Sequence, residues 1–175
     1  SENEGILNLL RRYSANIVLF GMPGCGKTTV GAALAALTGR DAVDIDAAIA
    51  ARTGRSIPDI FAHEGEEVFR ALEREETAAA GKLSGAIILT GGGVVKDFRN
   101  YPPLHQNGRI YQLERELSTL PREGRPLSAT ADLAAMYAQR APQYARFRDA
   151  VIDNNGTAED TAAAIWRDFC EHSGD

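Results

Sequence analysis

The segment GMPGCGKTT, from Gly21 to Thr29, restricts the fold of this chain more than any other stretch. It follows an apolar run, Asn16 to Phe20, and leads into Thr28 to Leu37, which is rich in helix-forming residues. Strand, glycine loop and helix in this order match the phosphate-binding pattern G-x-x-x-x-G-K-[ST]. The pattern and its flanking elements together predict an α/β protein that binds a nucleoside triphosphate.

This pattern has a direct physical basis in anion binding. Glycines allow the backbone to wrap closely around a phosphate group, and the following helix adds the partial positive charge of its N-terminus. Lys27 is expected to reach the β- and γ-phosphates, and the Thr28 hydroxyl is expected to ligate Mg²⁺. The residues predicted to contact the nucleotide are Gly24, Cys25, Gly26, Lys27, Thr28 and Thr29.

Cys25 lies inside this loop and has two interpretations. In the first, it is simply a small residue that fits the available space. In the second, the N-terminus of the helix lowers the pKa of its thiol and makes it reactive. The second interpretation predicts that ATP protects Cys25 from alkylation.

The composition excludes several classes of protein. With 175 residues, 44% hydrophobic and 25% charged, the chain fits one globular domain. A net charge of −5 gives no broad basic surface for nucleic acid, and no apolar run approaches membrane-spanning length. The N-terminus lacks the basic-then-apolar order of a signal peptide. The two cysteines form no disulfide framework and the three histidines no zinc spacing, so we expect a cytoplasmic protein without a structural metal.

Strand-like and helix-like segments alternate along the chain. Apolar runs predict five strands, at 16–20, 42–45, 86–89, 109–113 and 150–152. Such alternation is typical of a parallel sheet covered by helices on both faces. Two segments depart from the alternation. Residues 1–14 are predicted to form a short amphipathic helix, and the Pro, Gly, Ser and Thr content of 118–131 predicts an irregular, mobile loop.

A phosphate loop does not by itself distinguish a switch, a motor and a kinase. The chain lacks the N-K-x-D element of guanine-specific switches and is short for a motor, so a small kinase is favoured. In an extended chain Asp44 and Asp46 point to the same side, towards the crevice at the carboxyl ends of the strands. One carboxylate would hold Mg²⁺ through water, and the other would accept a proton from a substrate hydroxyl. The alternative is that Asp46 only caps a helix.

Two arginines are ambiguous from the sequence alone. Arg70 has Glu66, Glu67 and Glu73 within one helical turn, which favours a solvated salt-bridge network over a binding role. Arg140 is either a binding residue or plain surface, and the proline two positions later indicates a helix start or a kink.

A glycine triplet and a basic loop also have two interpretations each. Gly91–Gly93 follow a strand and serve either a tight turn or the close approach of a ligand to bare backbone. Arg122 and Arg125 lie in the loop rich in proline and glycine. They are either solvated, or part of a lid that brings an arginine over the γ-phosphate.

Together these features resemble the shikimate kinase family, within the nucleoside-monophosphate-kinase-like group of P-loop proteins. The resemblance is carried by GMPGCGKTT, VDIDAAIAARTGRSIPDIFAHEGEEVFRALE, ILTGGGVV, GRPLS and QRAPQY. It implies a three-layer α/β/α fold with a five-stranded parallel sheet in the order 2-3-1-4-5. It also implies a single kinase domain over 16–175, with a mobile lid at about 118–131 and an N-terminal extension over 1–15.

The reaction implied by this resemblance is transfer of the γ-phosphoryl group of ATP to the 3-hydroxyl of shikimate, in the biosynthesis of aromatic amino acids. By the same resemblance, Asp46 binds shikimate hydroxyls and acts as base or orienter. Arg70 and Arg140 grip the shikimate carboxylate, which a planar guanidinium suits. Lys27 and Arg125 stabilise charge on the transferred phosphoryl group, and Arg125 also binds the nucleotide.

The resemblance assigns the remaining site residues as well. Gly91–Gly93 contact shikimate, and Phe61 and Phe69 line the pocket around its ring. Thr28 ligates Mg²⁺ directly and Asp44 reaches it through water. The chain departs from the family where Ser118–Pro121 replace an arginine that stacks on adenine in many members, with Arg122 as a shifted substitute.

Two alternatives remain open at this point. Another small-metabolite kinase, such as gluconate kinase, shares the phosphate loop but is not expected to combine GGG and RPL with Arg70. A nucleotide-binding module without turnover is disfavoured by the intact set of Lys27, Thr28, Asp44, Asp46 and Arg125. We expect a monomer, because small kinases of this group need no partner.

Overall fold

A computed structural model describes residues 1–116 and 128–172, with side chains in the second range from Asp132 onwards. Five parallel strands form one sheet in the order β2-β3-β1-β4-β5, which confirms the order implied by the family resemblance. The strands are β1 (Asn16–Gly21), β2 (Ala42–Asp44), β3 (Ile87–Leu89), β4 (Gly108–Glu114) and β5 (Ala150–Asp153). Each begins and ends within about one residue of its predicted position.

Helices cover both faces of this sheet, as predicted. In the described ranges they are α1 (Glu2–Ser14), α2 (Lys27–Thr38), α3 (Ile45–Thr53), α4 (Ile57–Glu64), α5 (Glu66–Gly81), α6 (Tyr101–His105), α7 (Ser128–Phe147) and α8 (Ala158–His172). Two short 3₁₀ turns, Val94–Lys96 and Phe98–Asn100, follow β3. The described elements thus form the three-layer α/β/α arrangement.

The central strand β1 explains why there are two hydrophobic layers. All six of its residues are buried, and successive side chains point to opposite faces of the sheet. Val18 and Phe20 pack in the layer that contains α3 to α7, whereas Ile17 and Leu19 pack in the layer that contains α2 and α8. A strand buried on both faces reads as a continuous apolar run, which is how it appears in the sequence.

Local capping signals set several helix boundaries. The Ser56 hydroxyl accepts a hydrogen bond from the Asp59 N–H at 3.3 Å, and Pro58 lies in the first turn of α4. The prediction for Pro142 is partly wrong, because this residue lies inside α7 and not at a helix start. Position 142 therefore continues the helix that carries Arg140.

The predicted amphipathic helix at the N-terminus forms as α1. Its apolar side chains are largely exposed, with Leu10 at 58%, and none of its residues is buried. Its carboxyl end is held against the rest of the domain, since the Arg40 guanidinium donates hydrogen bonds to the carbonyl oxygens of Arg12 and Ala15. In the part of the chain that the structure describes, α1 and the other helices lack the length and apolarity to cross a membrane.

The segment predicted as a lid is only partly described. Residues 117–127, which include Arg122 and Arg125, lie outside the described residues. Residues 128–131 form the first turn of α7.

Candidate active site

The phosphate loop joins β1 to α2 at the carboxyl edge of the sheet. Gly26 is the N-cap of α2 and has a left-handed backbone with φ of +93°, which favours glycine. A Cβ at this position would also lie 2.7 Å from the Asn154 side-chain nitrogen. Glycine is thus required at position 26 by the backbone conformation and by the close approach of Asn154.

The Lys27 side chain bends back from the end of the phosphate loop to its beginning. Its ammonium donates a hydrogen bond to the Gly21 carbonyl oxygen at 3.2 Å and forms no ion pair within the described ranges. Beside it is an open cavity of about 320 Å³, which residues 24–29 line together with Arg115. An unneutralised ammonium beside a cavity at a helix N-terminus is suited to hold phosphate oxygens.

Asn154 fixes the conformation of the phosphate loop, although no sequence motif pointed to it. Its buried side chain donates a hydrogen bond to the Cys25 carbonyl oxygen at 2.6 Å. Its amide oxygen accepts a hydrogen bond from the Thr161 hydroxyl at 2.7 Å, and its backbone N–H donates to Glu114. The loop is therefore tied to β4, to α8 and to the end of β5.

The structure corrects the hypothesis of a reactive thiol at Cys25. The side chain is 1% exposed, and this burial raises the thiol pKa, although Lys27 opposes the rise. A raised pKa leaves less thiolate at neutral pH, so the first interpretation, a small residue that fits, is favoured. The Cys25 N–H donates to the Met22 carbonyl oxygen at 3.1 Å, so this amide is used inside the loop.

Asp44 and Asp46 approach the same space by a different geometry from the predicted one. Both carboxylates were expected on an extended chain, but α3 begins at Ile45. Asp44 is the N-cap, and its Oδ1 accepts a hydrogen bond from the Ala47 N–H at 3.1 Å. Asp46 lies in the first helical turn. The capping residue is thus Asp44, not Asp46.

The Asp46 carboxyl group is in an unusual electrostatic environment. Burial raises its pKa, the neighbouring charge of Asp44 raises it further, and Lys27 and Arg70 lower it. Its Oδ1 is buried without a hydrogen-bond partner in the described residues. A carboxylate with a raised pKa and an unsatisfied oxygen is suited to accept a proton or a hydrogen bond from a ligand.

The three glycines after β3 lie against three ionic side chains, one each. A Cβ at Gly91 would lie 3.1 Å from Asp46 Oδ1, and one at Gly92 would lie 3.1 Å from Arg140 Nη1. A Cβ at Gly93 would lie 2.5 Å from Arg70 Nη2. The bare backbone of this triplet therefore brings Asp46, Arg70 and Arg140 around one place.

Arg70 takes part in the salt-bridge network that was predicted, but the network is not wholly solvated. Its guanidinium contacts Glu66 at 3.4 Å and Glu73 at 2.9 Å. The Glu73 side chain is 1% exposed, burial raises its pKa, and its Oε2 has no partner in the described residues. Glu73 thus holds the Arg70 guanidinium beside Gly93. The sequence spacing predicted this ion pair but not its burial.

Arg140 is not a surface residue. It is 9% exposed, lies on α7, and its Nη1 is buried without a hydrogen-bond partner in the described residues. An unpartnered buried guanidinium nitrogen is costly unless a ligand satisfies it. The binding interpretation of Arg140 therefore gains support over the surface interpretation.

Two phenylalanines border the side of the site that carries Arg70. The rings of Phe61 on α4 and Phe69 on α5 are 4.7 Å apart between centroids, and Phe69 is buried. The Arg70 guanidinium lies 5.1 Å from the centre of the Phe69 ring, within cation–π distance. Phe61 is 37% exposed, so part of its side chain remains accessible to a ligand.

Sequence comparison identifies the family. The shikimate kinase family model matches residues 23–170. The chain is 40% identical over 164 residues to the shikimate kinase of Moorella thermoacetica, which covers 89% of this chain and 92% of that protein. It is 42% identical over 142 residues to the shikimate kinase of Symbiobacterium thermophilum, covering 75% of this chain and 82% of the relative.

Solved structures agree with this result. The structure of shikimate kinase from Acinetobacter baumannii in complex with shikimate has a TM-score of 0.84 and 32% identity, and the match covers 94% of this chain and 97% of that one. A gluconokinase from Sinorhizobium meliloti 1021 has a TM-score of 0.59 at 17% identity, which indicates a shared fold only. The family model, the curated relatives and the fold therefore place this chain in the shikimate kinase family.

Proposed function

We propose that this chain carries out the reaction of its family with a site made of a donor half, the phosphate loop, and an acceptor half around Gly91–Gly93. As a shikimate kinase, the chain phosphorylates shikimate with ATP at the 3-hydroxyl. The observation that supports the residue assignment is a pair of buried polar atoms without partners in the described residues. These are Asp46 Oδ1, an acceptor suited to a hydroxyl, and Arg140 Nη1, a donor suited to a carboxylate.

In the donor half, the loop and the N-terminus of α2 bind the phosphates of ATP. The Lys27 ammonium exchanges its hydrogen bond with the Gly21 carbonyl for the β- and γ-phosphate oxygens. Its positive charge then stabilises the negative charge on the transferred group and on the departing ADP oxygen. We assign the same second role to Arg125, which lies outside the described residues.

Thr28 and Asp44 fit a site for Mg²⁺. A hydroxyl and a carboxylate are the hard oxygen ligands that this ion prefers, usually with several waters retained. Only Asp44 Oδ1 is used in capping α3, so its other oxygen is available to a metal-bound water. When bound, Mg²⁺ neutralises phosphate charge; Thr28 would ligate it directly and Asp44 through water.

In the acceptor half, Arg70 and Arg140 hold the shikimate carboxylate, and the ring lies against Phe61, Phe69 and the bare backbone of the triplet. Asp46 accepts the proton of the 3-hydroxyl group while the oxygen of that hydroxyl forms a bond to the γ-phosphorus. The bond from that phosphorus to the β–γ bridging oxygen breaks, and ADP leaves with the bonding electrons. The raised pKa of Asp46 brings this carboxylate closer to the affinity for protons that a base needs.

An acceptor comparison tests this function. ADP release is measured with Mg-ATP and, separately, shikimate, gluconate and a nucleoside monophosphate. Turnover is expected with shikimate, and turnover with gluconate alone would overturn the assignment. Lys27→Met should abolish the signal, whereas Lys82→Met, a change at an exposed lysine at the end of α5, should leave it intact.

Three further assignments are part of the proposal. The chain acts as a monomer, since both halves of the site come from one chain. Its compartment is the cytoplasm, which agrees with two cysteines that are both free. The kinase domain extends over 16–175, with residues 1–15 as an extension and a lid at about 118–131.

A further inference from the structure

The backbone at Arg115 is held in a fixed position beside the phosphate loop. Arg115 is the first residue after β4, at the carboxyl edge where the loop also lies. The backbone on both sides is held by the loop after β5. The Glu114 carbonyl accepts from the Asn154 N–H at 2.7 Å, and the Glu116 N–H donates to Asn155 Oδ1 at 3.0 Å. The position from which the Arg115 side chain extends is therefore well defined.

Two of the cavities that Arg115 borders also share Gly26 and Thr29. One is the space of about 320 Å³ lined by residues 24–29. The other, of about 140 Å³, continues from Thr29 towards Asn154 and Gly156. Arg115 thus lines the cavities at the phosphate loop, and neither Asp46 nor the glycine triplet is among the described residues that line them.

The charge of Arg115 is not neutralised by the carboxylates around it. Within residues 1–116 and 128–172 its guanidinium forms no ion pair and no side-chain hydrogen bond. Glu114 Oε1 instead accepts from the Tyr137 hydroxyl at 2.8 Å, and Asp153 accepts from the Asn155 side chain. The positive charge nevertheless reaches the loop, where it lowers the pKa of Cys25 against the effect of burial.

We propose that Arg115 is a second phosphate-binding cation, which contacts the nucleotide polyphosphate in the cavity that Lys27 also lines. The inference rests on the proposed function only in taking a nucleotide as the donor. A planar guanidinium can donate two parallel hydrogen bonds to phosphate oxygens, which an ammonium cannot do. Arg115 then contributes to the affinity for ATP and for ADP, and not to the affinity for the acceptor.

The test compares Arg115→Gln with Arg115→Lys and with Arg167→Gln. The last removes the same charge from an exposed position of α8 and serves as the control. Inhibition by ADP and by inorganic tripolyphosphate is measured against ATP. Arg115→Gln should weaken both inhibitors by about tenfold, as expected for loss of a charge-assisted hydrogen bond. Arg115→Lys should recover part of the loss, and Arg167→Gln should change neither inhibitor.

Two outcomes would overturn the inference. Either both inhibitors bind Arg115→Gln as tightly as wild type, or ADP weakens while tripolyphosphate does not, which would place Arg115 on the base or ribose. The salt dependence of ADP binding gives an independent measurement, since loss of a phosphate contact should make it shallower. Thermal melts of the variants separate a binding effect from misfolding.

The same experiments separate this inference from the proposed function. If the wild type releases no ADP with shikimate, the function fails, but ADP binding by wild type and Arg115→Gln can still be compared directly by calorimetry. If shikimate is phosphorylated and the affinities for ADP are equal, only the inference about Arg115 fails.

Discussion

The donor half and the acceptor half of the active site differ in how their polar groups are bonded. The donor half is one continuous loop whose groups bond to the protein itself, as Lys27 does to Gly21 and Cys25 does to Asn154. The acceptor half comes from separate segments, and its Asp46 and Arg140 each keep a buried polar atom without a partner in the described residues. In the described residues, the donor half therefore has no buried side-chain atom without a partner, whereas the acceptor half has two that a ligand can satisfy.

This difference indicates how each half obtains its specificity. A loop of backbone amides at a helix N-terminus recognises any polyphosphate. Unpartnered buried groups discriminate more strongly, because a ligand that fails to satisfy them leaves the cost of their burial uncompensated. Selection of the acceptor molecule therefore depends on the acceptor half, whose unpartnered buried groups must be satisfied by the ligand.

The largest expected effect is in the acceptor half. Asp46→Asn removes the proton acceptor and keeps the shape, so kcat should fall by about a hundredfold or more, with a smaller change in the KM for ATP. Steady-state kinetics with both substrates varied gives this result. Asp59→Asn, at an exposed position of α4, is the matched control. An Asp46→Asn enzyme with wild-type kcat would remove Asp46 from the chemistry.

Arg140 should affect binding of the acceptor more than the chemical step. Arg140→Ala should raise the KM for shikimate by about tenfold or more, while the KM for ATP stays close to wild type. Arg140→Lys keeps the charge but loses the fork of donors, so it should recover only part of the affinity. An unchanged KM for shikimate in Arg140→Ala would show that the carboxylate binds elsewhere.

Asn154 gives the corresponding test of the donor half. Asn154→Ala removes the hydrogen bond to Cys25 and leaves the Thr161 hydroxyl with one partner fewer, which should cost about 1–3 kcal/mol of stability. The KM for ATP should rise while the KM for shikimate does not. Chemical denaturation and kinetics measure the two effects. An equal rise in both KM values would contradict a division of the site into two independent halves.

The smallest expected effect is a displacement of the pH profile. Since Asp46 must be deprotonated to act, kcat/KM for shikimate should fall as the pH drops through its pKa, which burial holds above the ordinary 3.8. Asp44→Asn removes a neighbouring negative charge, so the Asp46 pKa and the acidic limb should move to lower pH. Asp59→Asn should leave the limb in place, and a limb that Asp44→Asn does not move would exclude Asp46 as its origin.

The sequence predicted the fold and the phosphate loop well, because both depend on local pattern. An apolar run followed by G-x-x-x-x-G-K-[ST] defines β1, the loop and α2 with little help from elsewhere. The order of the strands came from the family resemblance carried by later motifs. The position of Pro142 inside α7 was harder to predict, because a proline within a helix depends on packing that a local pattern does not contain.

The acceptor half was only partly predictable, because its geometry is tertiary. Asp44 and Asp46 were expected side by side on an extended chain, but capping of α3 by Asp44 begins the helix earlier. Glu73 was expected in a solvated network and is buried under Arg70. Asn154 and Arg115 were not singled out, although each is the first residue after a strand. Applying to β4 and β5 the rule that selected Asp44 would have identified them.

The glycine triplet has a consequence for inhibitors and for resistance to them. A compound that rests on the backbone of residues 91–93 would contact positions where even a methyl group meets Asp46, Arg140 or Arg70. A substitution there that displaced the compound would also displace the side chains that hold the natural substrate. Escape by mutation at this wall would therefore carry a loss of fitness, which makes it a durable surface for a drug.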